Sequence, residues 1–241
     1  MVGVSAKSGG GPEAAKRRAG ERAAADVEDG MVVGLGTGST TAHAIRALGE
    51  RHTDGLEIQG VATSFQSRQL ALEVGLPLTD LDAVDGIDLA IDGADQVVDA
   101  PSEGTHGTLL KGGGGAHTRE KVVAAAADRF VVVADPTKLV AAIDAPVPLE
   151  VVPAAHPLVS SRVRALGGEP TLRAASEKDG PVVTDNGNLL VDCAFAEPLE
   201  DPTALGRRLS DTPGVLEHGL FPDLADTTYV GTEAGLEVRS Y

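Results

Sequence analysis

The stretch Met31-Val32-Val33-Gly34-Leu35-Gly36-Thr37-Gly38-Ser39-Thr40-Thr41 decides the fold. Its first five residues are a short apolar run of the length a buried strand needs. Glycines and hydroxyl side chains follow, and then a segment read as a helix over 40–50. Strand, glycine-rich turn and helix in that order begin a parallel crossover unit. Upstream, residues 12–29 are Ala-rich and charged, with a proline at the start and Gly30 after the end, the punctuation of a helix. Downstream the alternation repeats. A strand is expected near 56–62, and Ser64 is placed to cap a helix running to Glu73. Further strands at 87–91 and 130–134 are separated by a long loop and a helix over 118–127. Apolar strands alternating with helices predict a doubly wound α/β fold, a parallel sheet covered on both faces.

Past Asp144 the texture changes, with prolines at 146, 148 and 153. The segment 182–191 carries an Asn186-Gly187 pair between two apolar runs, which predicts a hairpin and a small α+β domain. The Gly- and Ser-rich opening residues are expected to form a flexible leader.

Composition narrows the function classes. A chain of 241 residues, 42 % hydrophobic, can bury a full core, but with 2 % aromatics it must fill that core with Ala, Val and Leu. There are 36 acidic residues against 20 basic ones, a net charge of −16, so a broad nucleic-acid-binding face is disfavoured. The acidic coat is similar to that of proteins from salt-loving organisms. The lone Cys193 excludes an internal disulfide and a cysteine-rich metal site, and within its apolar run it reads as a core residue. No run approaches the ~18 apolar residues of a membrane span, and the opening lacks the apolar stretch of a signal peptide. A cytoplasmic address is expected.

Three loops carry candidate chemistry. In the first, Thr37, Gly38, Ser39 and Thr40 precede a helix, so backbone amides, hydroxyls and the helix start can cradle an anion. That suits a single phosphate, because the dinucleotide and Walker spacings are absent. A glycine turn capped by Ser or Thr, with no ligand, explains the same residues. In the second, Asp92-Gly93-Ala94-Asp95 ends an apolar strand, where ligands bind in open α/β sheets. Its carboxylates can shuttle protons, hold sugar hydroxyls, bind magnesium or simply form a turn. In the third, Lys111 precedes Gly112, Gly113, Gly114 and Gly115, and Glu120 falls in the first turn of the helix that follows. The glycines can wrap a ligand or act as a linker, and Glu120 can be a base or merely complement the helix dipole. The chain has only six lysines; Lys111 and Lys121 flank the glycine loop and Lys138 follows a strand in Asp135-Pro136-Thr137-Lys138, which hints at point-charge work on an oxyanion or phosphate.

The motifs G-x-G-T-G-S-T, D-G-A-D and K-G-G-G-x-x-x-T-R-E-K, in this order, strongly resemble the type A ribose-5-phosphate isomerases. The likeness continues through Val182-Val183-Thr184-Asp185-Asn186-Gly187-Asn188, Pro213-Gly214-Val215 and Gly219-Leu220-Phe221. The resemblance implies an aldose–ketose isomerase of the non-oxidative pentose phosphate branch that uses neither metal nor cofactor. D-Ribose 5-phosphate and D-ribulose 5-phosphate would interconvert through a cis-enediolate. On that pattern Glu120 is the base moving a proton between C2 and C1, and Lys111 stabilises the oxyanion. Asp92 and Asp95 assist ring opening and proton exchange. The phosphate rests on Thr37, Gly38, Ser39 and Thr40, helped by Lys16 and Lys138, while Gly93, Ala94, Gly112, Gly113 and Gly114 complete the substrate wall. The resemblance also implies a Rossmann-like domain (1–142 plus 222–241), a smaller α+β lid (143–221), and a homodimer or homotetramer.

The chain departs from the pattern in places. Gln96 stands where Glu is common, the 96–110 loop is longer, and Gly115 and His117 replace Ala and Leu. His117 is read as a surface side chain or one behind the site. Two rivals remain: a sugar-phosphate sensor on the same fold, and a nucleotide-binding α/β enzyme.

Overall fold

A computed structural model describes residues 11–98 and 107–241. The expected leader over 1–10 and most of the 96–110 loop lie outside the described residues. The chain runs through α1 (Glu13–Ala25), β1 (Val32–Leu35), α2 (Thr41–Thr53), β2 (Gln59–Ala62), α3 (Phe65–Glu73), β3 (Leu78–Thr79) and β4 (Ile87–Gly93). Next come β5 (Gln96–Val98), β6 (Gly107–Leu110), α4 (His117–Ala125), β7 (Ala127–Ala134) and β8 (Leu139–Val140). The remainder is β9 (Val147–Val151), α5 (His156–Ala165), β10 (Gly168–Leu172), β11 (Leu189–Phe195), α6 (Pro202–Ser210), β12 (Val215–His218), β13 (Leu220–Ala225), β14 (Thr227–Gly231) and β15 (Leu236–Ser240).

The main sheet has seven strands in the order β15-β14-β7-β4-β1-β2-β3, all parallel except the antiparallel edge strand β15. Helices cover both faces. On one side α1 and α2 pack with Val33, Leu35, Ile91 and Val131. On the other, Val123 and Ala124 of α4 pack with Ala90, Phe130 and Val132. Sparse aromatics are offset by close approach of backbones. Ala15, Ala19, Gly20, Ala23 and Ala24 form the buried face of α1. A Cβ on Gly231 would lie 1.9 Å from the Ala15 carbonyl oxygen, so only glycine lets β14 pass beneath that helix.

Strand order reverses between β1 and β4: from β1 the chain builds outward to β2 and β3, from β4 to β7 and β14. In a doubly wound sheet the crevice beyond these two carboxyl ends is where ligands sit. A second, antiparallel sheet, β10-β11-β9-β12, encloses its own core of Leu149, Val151, Val159, Val191 and Cys193. A third, β13-β6-β5-β8, joins the two regions.

Four expectations need correction. The long segment after β4 is not only loop, for it contains β5 and β6, which are held by pairing with β8 and with the distant β13. The second strand starts at Gln59 and not at residue 56, because Leu56 N still closes onto Arg51 at the end of α2 and β1 offers its first partner at Gln59. The helix expected over 118–127 ends at Ala125, since Ala127 already pairs with Ile87. The Asn-Gly segment does reverse the chain, with Gly187 at φ +83°, but the arm before it forms only isolated bridges. Both edges of β11 are already taken by β10 and β9.

Candidate active site

Beyond the reversal point lies a cavity of about 440 Å³ lined by Lys16, Thr37, Gly38, Ser39, Thr40, Gly93, Ala94, Asp95, Lys111, Gly112, Gly113, Gly114, Glu120 and Lys138. Every residue expected at the site is there except Asp92. Thr41, Gln66 and Asp135 also line it; sequence reading missed them. Thr41 and Asp135 each directly follow or close a run already singled out, so proximity was the available signal.

The first loop is shaped by close contacts. A Cβ on Gly36 would lie 2.1 Å from the Asp92 carboxyl, so glycine alone allows β1 to turn against β4. Thr37 donates its hydroxyl to Ser64 Oγ at 2.6 Å, which anchors the loop to the start of α3. Ser64 caps that helix as expected, accepting from Ser67 N at 3.1 Å. Gly38 takes φ +121°, and Ala42 N donates to Gly38 O at 2.9 Å. The amides before Ala42 are therefore those that a helix start leaves without intrahelical acceptors, a ready anion cradle.

Asp92 sits just behind the wall, 3 % exposed. Its Oδ1 accepts from Thr37 N at 2.9 Å and Gly93 N at 2.7 Å. Its Oδ2 faces Lys111 Nζ at 3.0 Å. The same ammonium lies 3.2 Å from Glu120 Oε2 and donates to Gly93 O at 2.5 Å. Asp95 turns the other way, and its Oδ2 accepts from Gly113 N at 2.7 Å. A Cβ on Gly113 would meet Asp95 Oδ1 at 2.6 Å, so the glycine run is shaped to this carboxylate. From the second sheet, Arg173 donates to the carbonyls of Gly112 and Gly113, each at 3.1 Å, while its guanidinium is held by Asp192. The glycine run is thus a pinned loop and not a linker.

Burial governs the electrostatics of this trio. Burial, with the Asp92 charge added, pushes the Glu120 carboxyl up to about 8 against the pull of Lys111. Burial also raises Asp92, with Lys111 and two backbone N–H donors opposing it. The Lys111 ammonium is weakened by burial, but Asp92 and Glu120 more than offset that, so it stays protonated. One buried ammonium faces two carboxylates, and the two N–H donors favour charge on Asp92. The proton of the pair therefore resides on Glu120 at neutral pH.

His117 is not at the surface. It is fully buried, its ring packs under Gly112, and its Nε2 lies 3.3 Å from Glu217 O. Burial lowers it to about 4, leaving a neutral ring behind the loop. Lys121 faces away from the cavity, donating to Glu217 Oε1 at 2.6 Å and His218 O at 2.7 Å. Gln96 accepts from Asp144 N at 3.1 Å, so it ties β5 to the start of the second sheet and does not enter the cavity. Among the described residues, no three His, Cys, Asp or Glu side chains gather as a metal site requires, and no helix is long and apolar enough to cross a membrane.

Residues 59–235 match the family model described as ribose 5-phosphate isomerase A (phosphoriboisomerase A). The chain is 62 % identical to ribose-5-phosphate isomerase A of Halorubrum lacusprofundi over 237 residues, covering 96 % of this chain and 98 % of the relative. Among solved structures, it is similar to ribose 5-phosphate isomerase A of Methanocaldococcus jannaschii, at TM-score 0.88 and 40 % identity, covering 94 % and 98 % of the two chains. A D-ribose-5-phosphate isomerase in complex with phospho-erythronic acid matches at TM-score 0.88 and 41 % identity, covering 94 % of this chain and 97 % of that one.

Proposed function

The chain belongs to the ribose 5-phosphate isomerase A family and interconverts D-ribose 5-phosphate and D-ribulose 5-phosphate; we propose that the reaction runs in the cavity at the β1–β4 reversal, with the following roles. The phosphate rests on the Gly38, Ser39 and Thr40 amides, with the Thr37 loop, Lys16 and Lys138 around it. Held there, the sugar extends toward Lys111 and Glu120. The Glu120 carboxylate takes the proton from C2 and returns it to C1, on one face of a cis-enediolate. Lys111 donates to the oxygen on which charge develops. Asp95, on the cavity wall, serves ring opening and moves protons between sugar oxygens. Asp92 contributes to these steps from behind the wall by fixing the charge and place of Lys111. The observation that carries this reading is a buried carboxylate 3.2 Å from a buried ammonium, in the cavity that also holds the Thr37–Thr40 turn. Binding energy from the remote phosphate then orients the reacting carbons.

A sensor of the same fold needs no base of raised pKa beside an ammonium, and a nucleotide enzyme would want a longer phosphate track than this single helix start. The solved relative's phospho-erythronic acid is a phosphate carried on a short acidic chain, the class of ligand that a helix-start cradle and a buried ammonium in one cavity would receive. Residues 1–142 with 222–241 form the catalytic unit in this reading and 143–221 its lid, for which the Arg173 contacts to the glycine loop speak. The enzyme works in the cytoplasm as a homo-oligomer, in the non-oxidative pentose phosphate branch, without metal or cofactor. Its acidic coat suits concentrated salt.

Turnover of ribose 5-phosphate measured across pH, with a chelator throughout, tests the class and the base together. The base must be ionised, and burial holds Glu120 near 8. The sign follows: kcat/KM rises with pH up to about 8 and levels off above it. A chelator-sensitive rate, or a profile flat from pH ~5 to ~9, contradicts the assignment. Lys138→Ala tests the phosphate site. It weakens ribose 5-phosphate binding by about tenfold or more and leaves binding of free ribose unchanged. Equal weakening of both sugars, read by calorimetry, removes Lys138 from that role.

A further inference from the structure

Glu150 lies in the middle of β9, in the apolar run Val-Pro-Leu-Glu-Val, and is fully buried. Its carboxylate accepts from Thr118 Oγ1 at 2.5 Å, Thr184 Oγ1 at 2.8 Å and Asn188 Nδ2 at 2.9 Å. Asn186 Nδ2 bridges both its oxygens at 3.0 and 3.2 Å. Burial alone would raise this carboxyl, but its four donors hold it below its usual value, so it stays charged. The partners come from two places: the first turn of α4, and the turn 184–188 that looked like a hairpin in the sequence. That turn grips more than Glu150. Arg119 Nε donates to Asn186 Oδ1 at 2.8 Å, and Phe65 N at the start of α3 donates to Asp185 Oδ2 at 2.8 Å.

Helix α4 needs such a hold. It follows the glycine run, its N-cap is Ala116, and no side chain caps it. A helix leaving four glycines without a cap draws no hold from its own N-terminus, so its first turn depends on contacts from elsewhere in the fold. Glu120 is two residues beyond Thr118, in the same turn, and it must meet the reacting carbons to within a few tenths of an ångström.

We propose that Glu150, through Thr118 and the 184–188 turn, is a positioning residue that aims Glu120 at the substrate. The knot fixes the start of α4 from the second sheet, so the two sheets cooperate in placing one carboxylate. This rests on the reading of Glu120 as the base, and the test separates the two. Removing Glu150 itself could unfold the chain, so the variant is Thr118→Val, which leaves three donors on Glu150. Thr118→Val lowers kcat for ribose 5-phosphate by about ten- to a hundredfold, with KM within about twofold. Thr118→Ser, which keeps the hydroxyl, recovers most of the rate. In the Glu120→Gln background Thr118→Val costs less than about twofold more, because the group it aims is gone. Normal kcat in Thr118→Val, failure of Thr118→Ser to recover it, or an undiminished further loss in the Glu120→Gln background each overturns the positioning role while Glu120 keeps its own. Near-normal kcat in Glu120→Gln alone overturns both.

Discussion

Glu120→Gln lowers kcat for ribose 5-phosphate by about 10²- to 10⁴-fold and leaves KM within a few-fold, the signature of a lost proton-transfer group. The amide has the same shape but cannot accept the C2 proton. Stability moves the other way. Glu120 is 5 % exposed and held up to about 8, so folded protein keeps a proton that unfolded chain releases near its ordinary carboxyl pKa. Between those two values the unfolded state binds fewer protons, and wild-type stability falls as pH rises. Gln does not titrate. The variant's Tm therefore gains on the wild type from about pH 5 to about pH 8, and the gap stays constant above that. A Tm difference that does not change with pH would mean that Glu120 is not the protonated partner of the trio.

Lys111→Met removes both activity and stability. Lys111 is 3 % exposed, 3.0 Å from Asp92, 3.2 Å from Glu120, and lies 5.6 Å from the centre of the Phe221 ring. Met keeps most of the stem's volume, so the loss isolates the charge. Without the ammonium, the buried Asp92 charge beside Glu120 is left without its partner, which costs about 3–5 kcal/mol at neutral pH. Both carboxyls then titrate still higher in the folded state. The sign is fixed by that: the variant's deficit shrinks on going to acid, where both are protonated, and grows as pH rises. The rate falls by about 10²- to 10³-fold or more, because the developing oxyanion loses its donor. Lys111→Arg does not restore it, since a planar guanidinium cannot occupy a place shaped for a point charge between two carboxylates. Urea unfolding at several pH values and steady-state kinetics check both halves.

Much of this site could be read in the sequence because glycines record close approach. Gly36 and Gly113 stand where a Cβ would collide with Asp92 and Asp95, so the motifs on which the reading rested are steric imprints of the pocket. The parallel sheet was legible in a different way: β4 and β7 carry the continuous apolar runs 89–91 and 130–134, as strands buried on both faces do. Other features were hidden because their partners are remote. Asp92 looked like an equal of Asp95 until its Oδ1 proved to be held by Thr37 and Gly93 amides. An acidic residue within Val-Pro-Leu-Glu-Val has no local signature of burial, and its donors arrive from Thr118 and from 184–188. The same donors explain why the hairpin stays so short. Thr184 Oγ1 accepts from the amides of Asn186 and Asn188 and donates to Glu150, so this turn serves the carboxylate and its arm does not extend into a ladder. β5 and β6 are short strands: β6 pairs with β13, over a hundred residues later, and β5 lies between β6 and β8, so no local pattern announces them.

The most direct measurement is a crystal structure of Glu120→Gln with ribose 5-phosphate bound, because the variant holds substrate without turning it over. The phosphate is predicted within hydrogen-bond reach, about 2.7–3.2 Å, of the Gly38, Ser39 and Thr40 amides. C1 and C2 are predicted about 3–3.5 Å from the side chain at position 120, with Lys111 Nζ on the adjoining oxygen. A sugar whose phosphate lies away from that turn, or whose first two carbons face another carboxylate, contradicts the account.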